Sequence, residues 1–321
     1  MSHNMTTSLA LTKSGVLSDN DILEKIESKE IVICPFNEDN LSPVGYNLSF
    51  TKFIYSIKNN LLTKIEKDEA ANELYCFIEP NDTVLILTRE AVWVSNKFNG
   101  TFHSKVGIVS KGFGHISTTL DPHWEGPFLI SLNNPTSKKL KLCIAEDTEG
   151  GTKYNTFVTL ILNETLSPAV KLHNNPSSRV DILRDIKRTK GDKKFQQLAK
   201  VVDKIRNFEE IQVNIGKSTA EERDSKIEEF KQKYNRFANE IVNVAIEDAL
   251  EINDDILKRK KWIYFSILFV YSVICLLLIV FCFQANFDSD QNSLAFLAVI
   301  SSVVIPIGIA VEPHLRSKLL S

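Results

Sequence analysis

The segment between residues 104 and 125 concentrates side chains that can contact phosphate or carry a proton. Lys105 and Lys111 each follow a serine, and a lysine ammonium is a suitable point charge for phosphate oxygens. Asp121 supplies a carboxylate, although aspartate before proline is also an ordinary turn residue. Histidines in the segment can titrate near neutral pH. The candidate residues of this segment are Ser104, Lys105, Ser110, Lys111, His115, Asp121, His123 and Glu125.

Other common site motifs are missing or incomplete. The five cysteines are scattered without a CxxC pair, which indicates neither a zinc site nor a disulfide framework and is typical of a reducing compartment. The Pro-Cys-x-x-Cys of zinc deaminases is missing. Gly216–Thr219 reads GKST, like the end of a phosphate-binding loop, but lacks the upstream glycine and strand. A net charge of −2 offers no basic excess, so we expect no nucleic-acid partner.

The elements that must position these residues are predicted to be strands. Residues 15–172 contain short apolar runs rich in Val, Ile, Phe and Thr, separated by turn signals, which predicts an all-β sandwich or barrel. One early helix is expected, with Ser18 as its N-cap and Ile22 on its buried face. Residues 1–14 lack the apolar stretch of a secretory signal and are predicted to be a disordered leader.

Five segments of this region, in order, resemble the family of deoxycytidine triphosphate deaminases and deoxyuridine triphosphatases. In the family, the third segment has a Pro-Gly turn and then Thr-x-Glu, and the fourth reads Ile-Asp-Pro-Gly-Trp-x-Gly. The resemblance implies a distorted β-barrel of the dUTPase type that forms homotrimers, with active sites between subunits and Mg²⁺ held through the nucleotide phosphates. The segments are GVLSDNDILEKIESKEIVICPF, LSPVGYNLSF, IEPNDTVLILTREAVWVSNKFNG, TTLDPHWEGPFLISLNN and LILNETLSPA.

The same resemblance indicates departures at the catalytic positions. In the family's deaminases a glutamate after the Asp-Pro-Gly-Trp turn activates the attacking water, and Ser131 stands there in this chain. A serine cannot be the same general base, because the pKa of its hydroxyl lies far above the working pH. The family's arginine two residues before the aspartate is Thr119. Its phosphate-binding Ser-Ser-Leu-x-Arg segment corresponds to a stretch with Ser104 and Lys105 but no arginine.

Other family positions are retained or altered individually. Asp121 matches the aspartate that orients a water for attack on the α-phosphate in the triphosphatases, so Asp121 is the candidate catalytic residue. Asn47 replaces the aspartate of Ser-Tyr-Asp-Leu, and Trp124 is expected to fill the barrel. The triphosphatases' glycine-rich C-terminal arm has no counterpart. No protein metal ligands are predicted, and the predicted nucleotide-binding residues are Ser104, Lys105, Lys111, Ser117, Thr119, Asp121 and Ser131.

Residues 173–260 are rich in charged side chains and are predicted to form a helical stalk. An apolar seam with heptad spacing runs through the stalk and follows a looser stripe, with a break at GKST. Ser218 or Thr219 is expected to cap the second helix. The seam suits either an intermolecular coiled coil or two helices packed as an antiparallel pair. The seam comprises Ile227, Phe230, Tyr234, Phe237, Ile241 and Val244, and the stripe Leu198, Val202, Ile205, Phe208, Ile211 and Ile215.

Residues 261–321 contain two long apolar runs. The first, residues 262–283, has 22 residues without a charge, and such a helix rises about 33 Å, enough to cross a bilayer core. The second is residues 293–311. Lys and Arg flank both runs while Asp288 and Asp290 lie between them, so the positive-inside rule places the N-terminal domain and the C-terminus in the cytoplasm. A two-helix transmembrane hairpin is therefore predicted, with a pair of buried core helices as the alternative.

Two functional hypotheses remain open on these observations. In the first, a membrane-tethered hydrolase of nucleotide metabolism binds a deoxypyrimidine nucleotide and acts on dCTP or dUTP without the family glutamate. In the second, an inactive trimeric domain senses the nucleotide, or serves as a scaffold, and signals to a membrane effector. Soluble substrates give an enzyme no reason for a membrane anchor, which favours the second. The fold alone indicates a scaffold and not an activity.

Overall fold

The computed structural model describes residues 14–114, 117–171, 179, 193–210, 213–247, 262–273, 276, 277 and 280. The chain divides into two compact units, Met1–Ala249 and Leu250–Ser321. The first unit holds the β domain together with the helices predicted as a stalk. Residues 1–13 of the predicted leader lie outside the described residues.

Strands dominate the first unit, as the short apolar runs predict. Its strands are β1 (Gly15–Val16), β2 (Ile31–Cys34), β3 (Tyr46–Ser56), β4 (Leu61–Leu62), β5 (Glu66–Asp68), β6 (Glu73–Ile78), β7 (Asp82–Val94), β8 (Phe98–Ser104), β9 (Thr119–Leu120), β10 (Glu125–Asn134), β11 (Leu140–Thr148), β12 (Gly151–Tyr154) and β13 (Thr156–Glu164). Its α-helices are α1 (Asp19–Glu27), α2 (Val106–Val109), α3 (Lys193–Glu210) and α4 (Ala220–Arg236), with 3₁₀ turns at Glu38–Asn40 and Ile215–Lys217 and a π-helix at Phe237–Asn243.

Two antiparallel sheets make a barrel-like domain. The nine-stranded sheet runs β10-β7-β3-β13-β8-β9, with β1 beside β13, β2 beside β7 and β4 beside β3. The four-stranded sheet runs β12-β11-β6-β5. Irregular register within the β3–β7 and β10–β7 pairs bends the long strands, as bulges do in closed or strongly curved sheets. The barrel-like β fold predicted for the N-terminal part is confirmed.

The core of the domain contains stacked aromatic rings among its aliphatic side chains. Phe50 and Phe157 stack with ring centroids 4.4 Å apart, and Trp124 stacks on Phe128 at 5.1 Å. Trp124 is only 7% exposed and belongs to the core, as the sequence predicts. Burial of such rings supplies much of the stabilisation of a small β domain.

Helix α1 begins where the sequence predicts. Ser18 and Asp21 form a capping box, in which each side chain bonds the backbone N–H of the other. Ile22 of this helix is fully buried in the core. The cap fixes the direction in which the chain enters α1, and the helix then leads into β2.

The stalk prediction is wrong for the described helices, because they pack on the barrel. The Cys34 thiol in β2 donates to the carbonyl of Lys231 at 3.3 Å, and Lys52 in β3 pairs with Glu247 at 3.0 Å. Residues up to 249 belong to one compact unit with the β domain. An amphipathic helix needs an apolar surface to cover its seam, and strands β2, β3 and β7 supply that surface.

The helical seam is filled within the chain. Phe208 of α3 contacts the rings of Tyr234 and Phe237, at 5.9 and 5.3 Å between centroids. Ile227 and Phe230 are likewise buried. The packing is therefore intramolecular, and the described part of the seam is not open to a coiled coil with another chain.

The last part of the predicted seam is displaced by a π-helix. Phe237–Asn243 forms i→i+5 turns, which hold more residues per turn than an α-helix. Val244 is consequently 40% exposed, whereas Val242 and Ile246 are buried. A strict heptad pattern assumes a uniform helix, so it misassigns the residues beyond the wide turn.

The second unit contains an apolar helix over residues 262–273. Its apolar side chains are strongly exposed, among them Trp262 at 76% and Phe269 at 69%. Within the part of the chain that the structure describes, no helix has both the length and the apolar character to cross a bilayer. The second predicted span, residues 293–311, lies outside the described residues.

Candidate functional site

The end of β8 carries the first predicted phosphate-binding residues. Ser104 is the last residue of β8, and Lys105 is the N-cap residue of the short helix α2. The Lys105 ammonium donates to the hydroxyl of Thr156. Burial lowers the pKa of Lys105, which reflects an ammonium partly withdrawn from water. Lys111, by contrast, is exposed in the turn after α2.

Strand β9 places Thr119 beside β8, and Ser117 lies just before that strand. The Ser117 hydroxyl donates to the Phe102 carbonyl at 2.7 Å. Thr119 pairs directly with Thr101, so these two side chains share one face of the sheet. Ser104 has the opposite parity along β8 and points to the other face at the strand end. The structure therefore brings Thr119 beside β8 but not onto the face of Ser104.

An exposed polar row crosses three strands on the face of Thr119. Asn47 in β3 and His103 in β8 both pair with Thr159 of β13. The Thr159 hydroxyl donates to the Asn47 amide oxygen at 2.8 Å, and the His103 Nε2 atom lies 2.9 Å from the Thr101 hydroxyl. His103 and Thr159 were missed by the sequence analysis, because their alignment depends on strand register.

Ser131 lies in β10, which is at the opposite end of the strand order from β9. It is partly exposed in β10 and pairs with Leu85 of β7. Two residues further, Asn133 exchanges both backbone hydrogen bonds with Gly114, at 2.8 and 2.9 Å. Gly114 therefore lies beside β10, whereas Ser117 lies beside β8. His115, the predicted titratable residue between them, lies outside the described residues.

Asp121 is exposed in a tight turn between β9 and β10. The Trp124 N–H donates to the Asp121 carbonyl at 3.3 Å, and the buried Trp124 indole donates to the Gly126 carbonyl at 2.8 Å. His123 adopts φ +63°, a left-handed conformation that glycine adopts readily and that other residues adopt at a cost. The tryptophan thus fixes a turn that presents Asp121 to solvent.

Glu125 is bound by a loop that the sequence analysis assigned to the stalk. One carboxylate oxygen accepts from the backbone N–H groups of Val213 and Asn214, at 2.8 and 3.2 Å, and the other accepts from Ile215 at 3.1 Å. Glu125 was a candidate proton carrier, but these bonds occupy both of its oxygens. No local sequence signal marks a contact between residues 88 positions apart.

His123 lies beneath the same loop. A Cβ atom on Gly216 would stand 3.0 Å from the His123 Nδ1 atom, and among the described atoms that buried nitrogen has no hydrogen-bond partner. Burial lowers the pKa of His123, which favours the neutral form of its ring. The residue expected to titrate therefore packs against Gly216 of the GKST turn.

Comparison with known proteins identifies the family of the β domain. Residues 16–144 match the family model for dCTP deaminase-like proteins. A probable deoxyuridine 5′-triphosphate nucleotidohydrolase of Sulfolobus islandicus rod-shaped virus 1 is 31% identical over 159 residues, which cover 50% of this chain and 90% of that protein. The chain belongs to the dCTP deaminase/dUTPase superfamily.

Other superfamily members match over shorter stretches. A dCTP deaminase of Thermococcus gammatolerans is 32% identical over 118 residues, or 37% of this chain and 70% of the relative. The crystal structure of 2′-deoxycytidine 5′-triphosphate deaminase from Agrobacterium tumefaciens aligns over 47% of this chain and 48% of its own, at 9% identity and a TM-score of 0.35. The family model ends at residue 144, within β11 of the β domain.

The described part of this superfamily member offers one set of three close metal-ligand side chains, Glu73, Cys143 and Glu146. These residues lie on the four-stranded sheet, and Lys141 already pairs with Glu73 at 2.9 Å. The set does not include Asp121.

Proposed function

We propose that this chain binds a deoxypyrimidine nucleoside triphosphate and does not deaminate it by the glutamate-dependent route. One observation carries the proposal: Ser131 of β10 stands where the family resemblance expects the water-activating glutamate, while the Trp124 indole fixes the Asp121 turn. The framework for binding is kept without the general base that deamination needs. A domain of this kind senses a nucleotide and does not consume it.

The phosphates are proposed to bind at the end of β8. Ser104 and Lys105 offer a hydroxyl and an ammonium there, and a phosphate oxygen can replace the Thr156 hydroxyl as the acceptor for Lys105. Lys111 adds a second, exposed positive charge after α2. Mg²⁺ would bind through the phosphate oxygens, where it keeps most of its water.

The sugar and base are proposed to lie toward Asp121 and Thr119, with Ser131 at the pyrimidine end. The polar row beside Thr119 is exposed, so a site built on it would be completed by a second subunit. This fits the homotrimer that the family resemblance implies. Light scattering on the detergent-solubilised chain tests the assembly, and a monomer at micromolar concentration contradicts it.

Replacing Lys105 by alanine is expected to weaken nucleotide binding by about 10- to 100-fold, because a hydrogen bond to a charged group contributes roughly 1.5–3 kcal/mol. Isothermal calorimetry with dCTP, dUTP and Mg²⁺ measures the affinity of the full chain. Lys153→Ala, an exposed lysine of β12, is the matched control and should bind as the unchanged chain does. An equal loss in both variants would show a general charge effect and no phosphate contact at Lys105.

Hydrolysis of dUTP is the second candidate function. The exposed carboxylate of Asp121 and the printed name of the viral relative, a probable deoxyuridine 5′-triphosphate nucleotidohydrolase, favour it. Chromatography of the nucleotides after incubation of dCTP or dUTP with the full chain and Mg²⁺ distinguishes the two functions. Formation of dUMP by the unchanged chain, lost in Asp121→Ala, would replace the sensor proposal by the hydrolase. Neither binding nor turnover would leave a scaffold.

We also propose that the C-terminal unit attaches the chain to a membrane, with the N-terminal domain and the C-terminus in the cytoplasm. The exposed apolar side chains of residues 262–273 support this, because such a surface is unfavourable in water. The basic residues 258–261 precede the helix, which agrees with a cytoplasmic start.

Deleting residues 262–321 is expected to release the protein from the membrane fraction. The full chain should stay in the pellet after alkaline carbonate washing, which removes peripherally bound proteins. The control is a double substitution of exposed barrel residues, Phe77→Ser and Val44→Ser, which should remain in the pellet. Release of the full chain by carbonate would contradict the anchor.

A further inference from the structure

Glu125 joins the Asp121 turn to the helical segment through a binding site made of backbone. The N–H groups of three consecutive residues, 213–215, all point at one carboxylate, within 2.8–3.2 Å. Consecutive N–H groups arranged in this way form an anion-binding concavity. Hydrogen bonds to a carboxylate are roughly twice as strong as hydrogen bonds between neutral groups. The three bonds therefore hold the Glu125 side chain strongly in the loop.

The loop that holds Glu125 is itself rigid and leads directly into α4. Val213 and Ile215 are buried, at 2% and 0% exposure, and Asn214 is held in the left-handed region at φ +59°. The Ser218 hydroxyl donates to the Ile215 carbonyl at 2.6 Å. Thr219 then caps α4 in a capping box with Glu222. A movement of the loop therefore moves the start of α4.

The turn on the other side of the contact is equally constrained. Trp124 anchors it in the core, and His123 packs against Gly216. Only three residues separate Asp121 from Glu125. A displacement of Asp121 on ligand binding is therefore expected to reach Glu125, because the buried Trp124 and the packed His123 connect the two residues.

Other polar contacts between the helices and the barrel are weaker. Lys29–Asp224 and Lys52–Glu247 are solvent-exposed ion pairs, and such pairs contribute little to stability. The Glu125 contact differs, because it joins a charged side chain to a half-buried loop. It also lies beside the candidate nucleotide turn, whereas those pairs lie elsewhere.

We propose that Glu125 is a positioning residue: it holds the Asp121 turn in its nucleotide-binding geometry through the 213–215 loop, and it transmits nucleotide binding to the start of α4. The inference rests on the proposed function and names how that site is regulated. The helical segment becomes a reporter of the nucleotide, and conversely a change in the helical segment alters nucleotide affinity, because coupling between two sites is reciprocal.

The test uses the full chain in detergent with dCTP and Mg²⁺, and compares Glu125→Ala, Glu125→Gln and the control Glu79→Ala, a barrel glutamate paired with exposed Lys139. Glu125→Ala is expected to weaken binding by about tenfold. Glu125→Gln keeps acceptor oxygen and should recover part of that loss. Amide exchange at residues 213–215 should be about tenfold faster in Glu125→Ala, since its protecting bonds are gone.

The readout that distinguishes coupling from mere structure is exchange in the first turn of α4. Nucleotide should slow exchange at residues 222–226 in the unchanged chain and in Glu79→Ala, but not in Glu125→Ala. Gly216→Ala places a methyl group 3.0 Å from the His123 Nδ1 atom and so disturbs the loop beside Glu125. This variant should also weaken nucleotide binding, and agreement between the two variants would argue against a folding defect in one of them.

Two results overturn the inference in different ways. If the unchanged chain binds nucleotide and Glu125→Ala binds within twofold of it, the positioning role is wrong while the proposed function stands. If neither the unchanged chain nor Glu79→Ala binds nucleotide, the proposed function fails and the coupling fails with it.

Discussion

Replacing Ser131 by glutamate is expected to give this chain dCTP deaminase activity about 10²- to 10⁴-fold above its starting level, the usual contribution of a positioned general base. Ser131 is partly exposed in the middle of β10, so a longer side chain can extend toward solvent. The Asp121 turn that precedes β10 in the sequence is already fixed by Trp124. Chromatographic detection of dUTP formed from dCTP measures the gain.

The matched control is Ser131→Gln, which has the same length but no basic carboxylate. It should stay at the level of the unchanged chain. Equal rates for the glutamate and glutamine variants would show that water activation is not what the chain lacks. The loss of deamination would then be attributed to Thr119, which stands in place of the family's arginine.

Replacing Glu90 by alanine is expected to lower the free energy of unfolding by about 3 kcal/mol, because it leaves buried polar groups unpaired and opens a cavity. Glu90 is 3% exposed. Its carboxyl group accepts from the Ser49 N–H at 2.8 Å and lies 2.7 Å from the Ser49 hydroxyl. These bonds tie β7 to β3, so their loss weakens the centre of the nine-stranded sheet. Urea denaturation of the full chain, followed by its tryptophan fluorescence, measures the change in the free energy of unfolding.

Glu90→Gln is the isosteric control and also gives a pH test. Burial raises the pKa of Glu90 above its ordinary value of 4.5, so the folded chain keeps this proton to higher pH than the unfolded chain. The stabilisation from the proton is complete below about pH 4.5 and is lost as pH rises through the raised pKa. Glutamine does not titrate, so the stability of Glu90→Gln relative to the unchanged chain should increase with pH. A constant difference between pH 5 and pH 8 would contradict a raised pKa.

Local patterns predicted much of the fold because local rules govern them. The N-caps at Ser18 and Thr219 depend only on residues three positions away. The β domain follows from alternating apolar runs, and the position of Trp124 follows from its motif. These features need no knowledge of which strand lies beside which.

The missed features depend on long-range register. The polar row joins Asn47, Thr159 and His103 only because β3 and β8 both pair with β13 in one alignment. Glu125 binds a loop far along the sequence, through backbone groups that carry no side-chain signature. The helical seam correctly marks an apolar face, but a seam does not say whether another chain or the chain's own barrel covers it.

The π-helix at Phe237–Asn243 has a consequence for how this segment can change over evolutionary time. A wide turn holds an additional residue inside a continuous helix, so both flanking apolar faces stay packed on the barrel. Removing one residue from residues 237–243 would restore a regular α-helix and leave the flanking faces in register, because the wide turn is what absorbs the additional residue. Single-residue deletions within residues 237–243 are therefore changes that descendants of this chain could accept with Ala245 and Ile246 still buried, whereas a deletion within α4 would rotate the residues after it by about 100°.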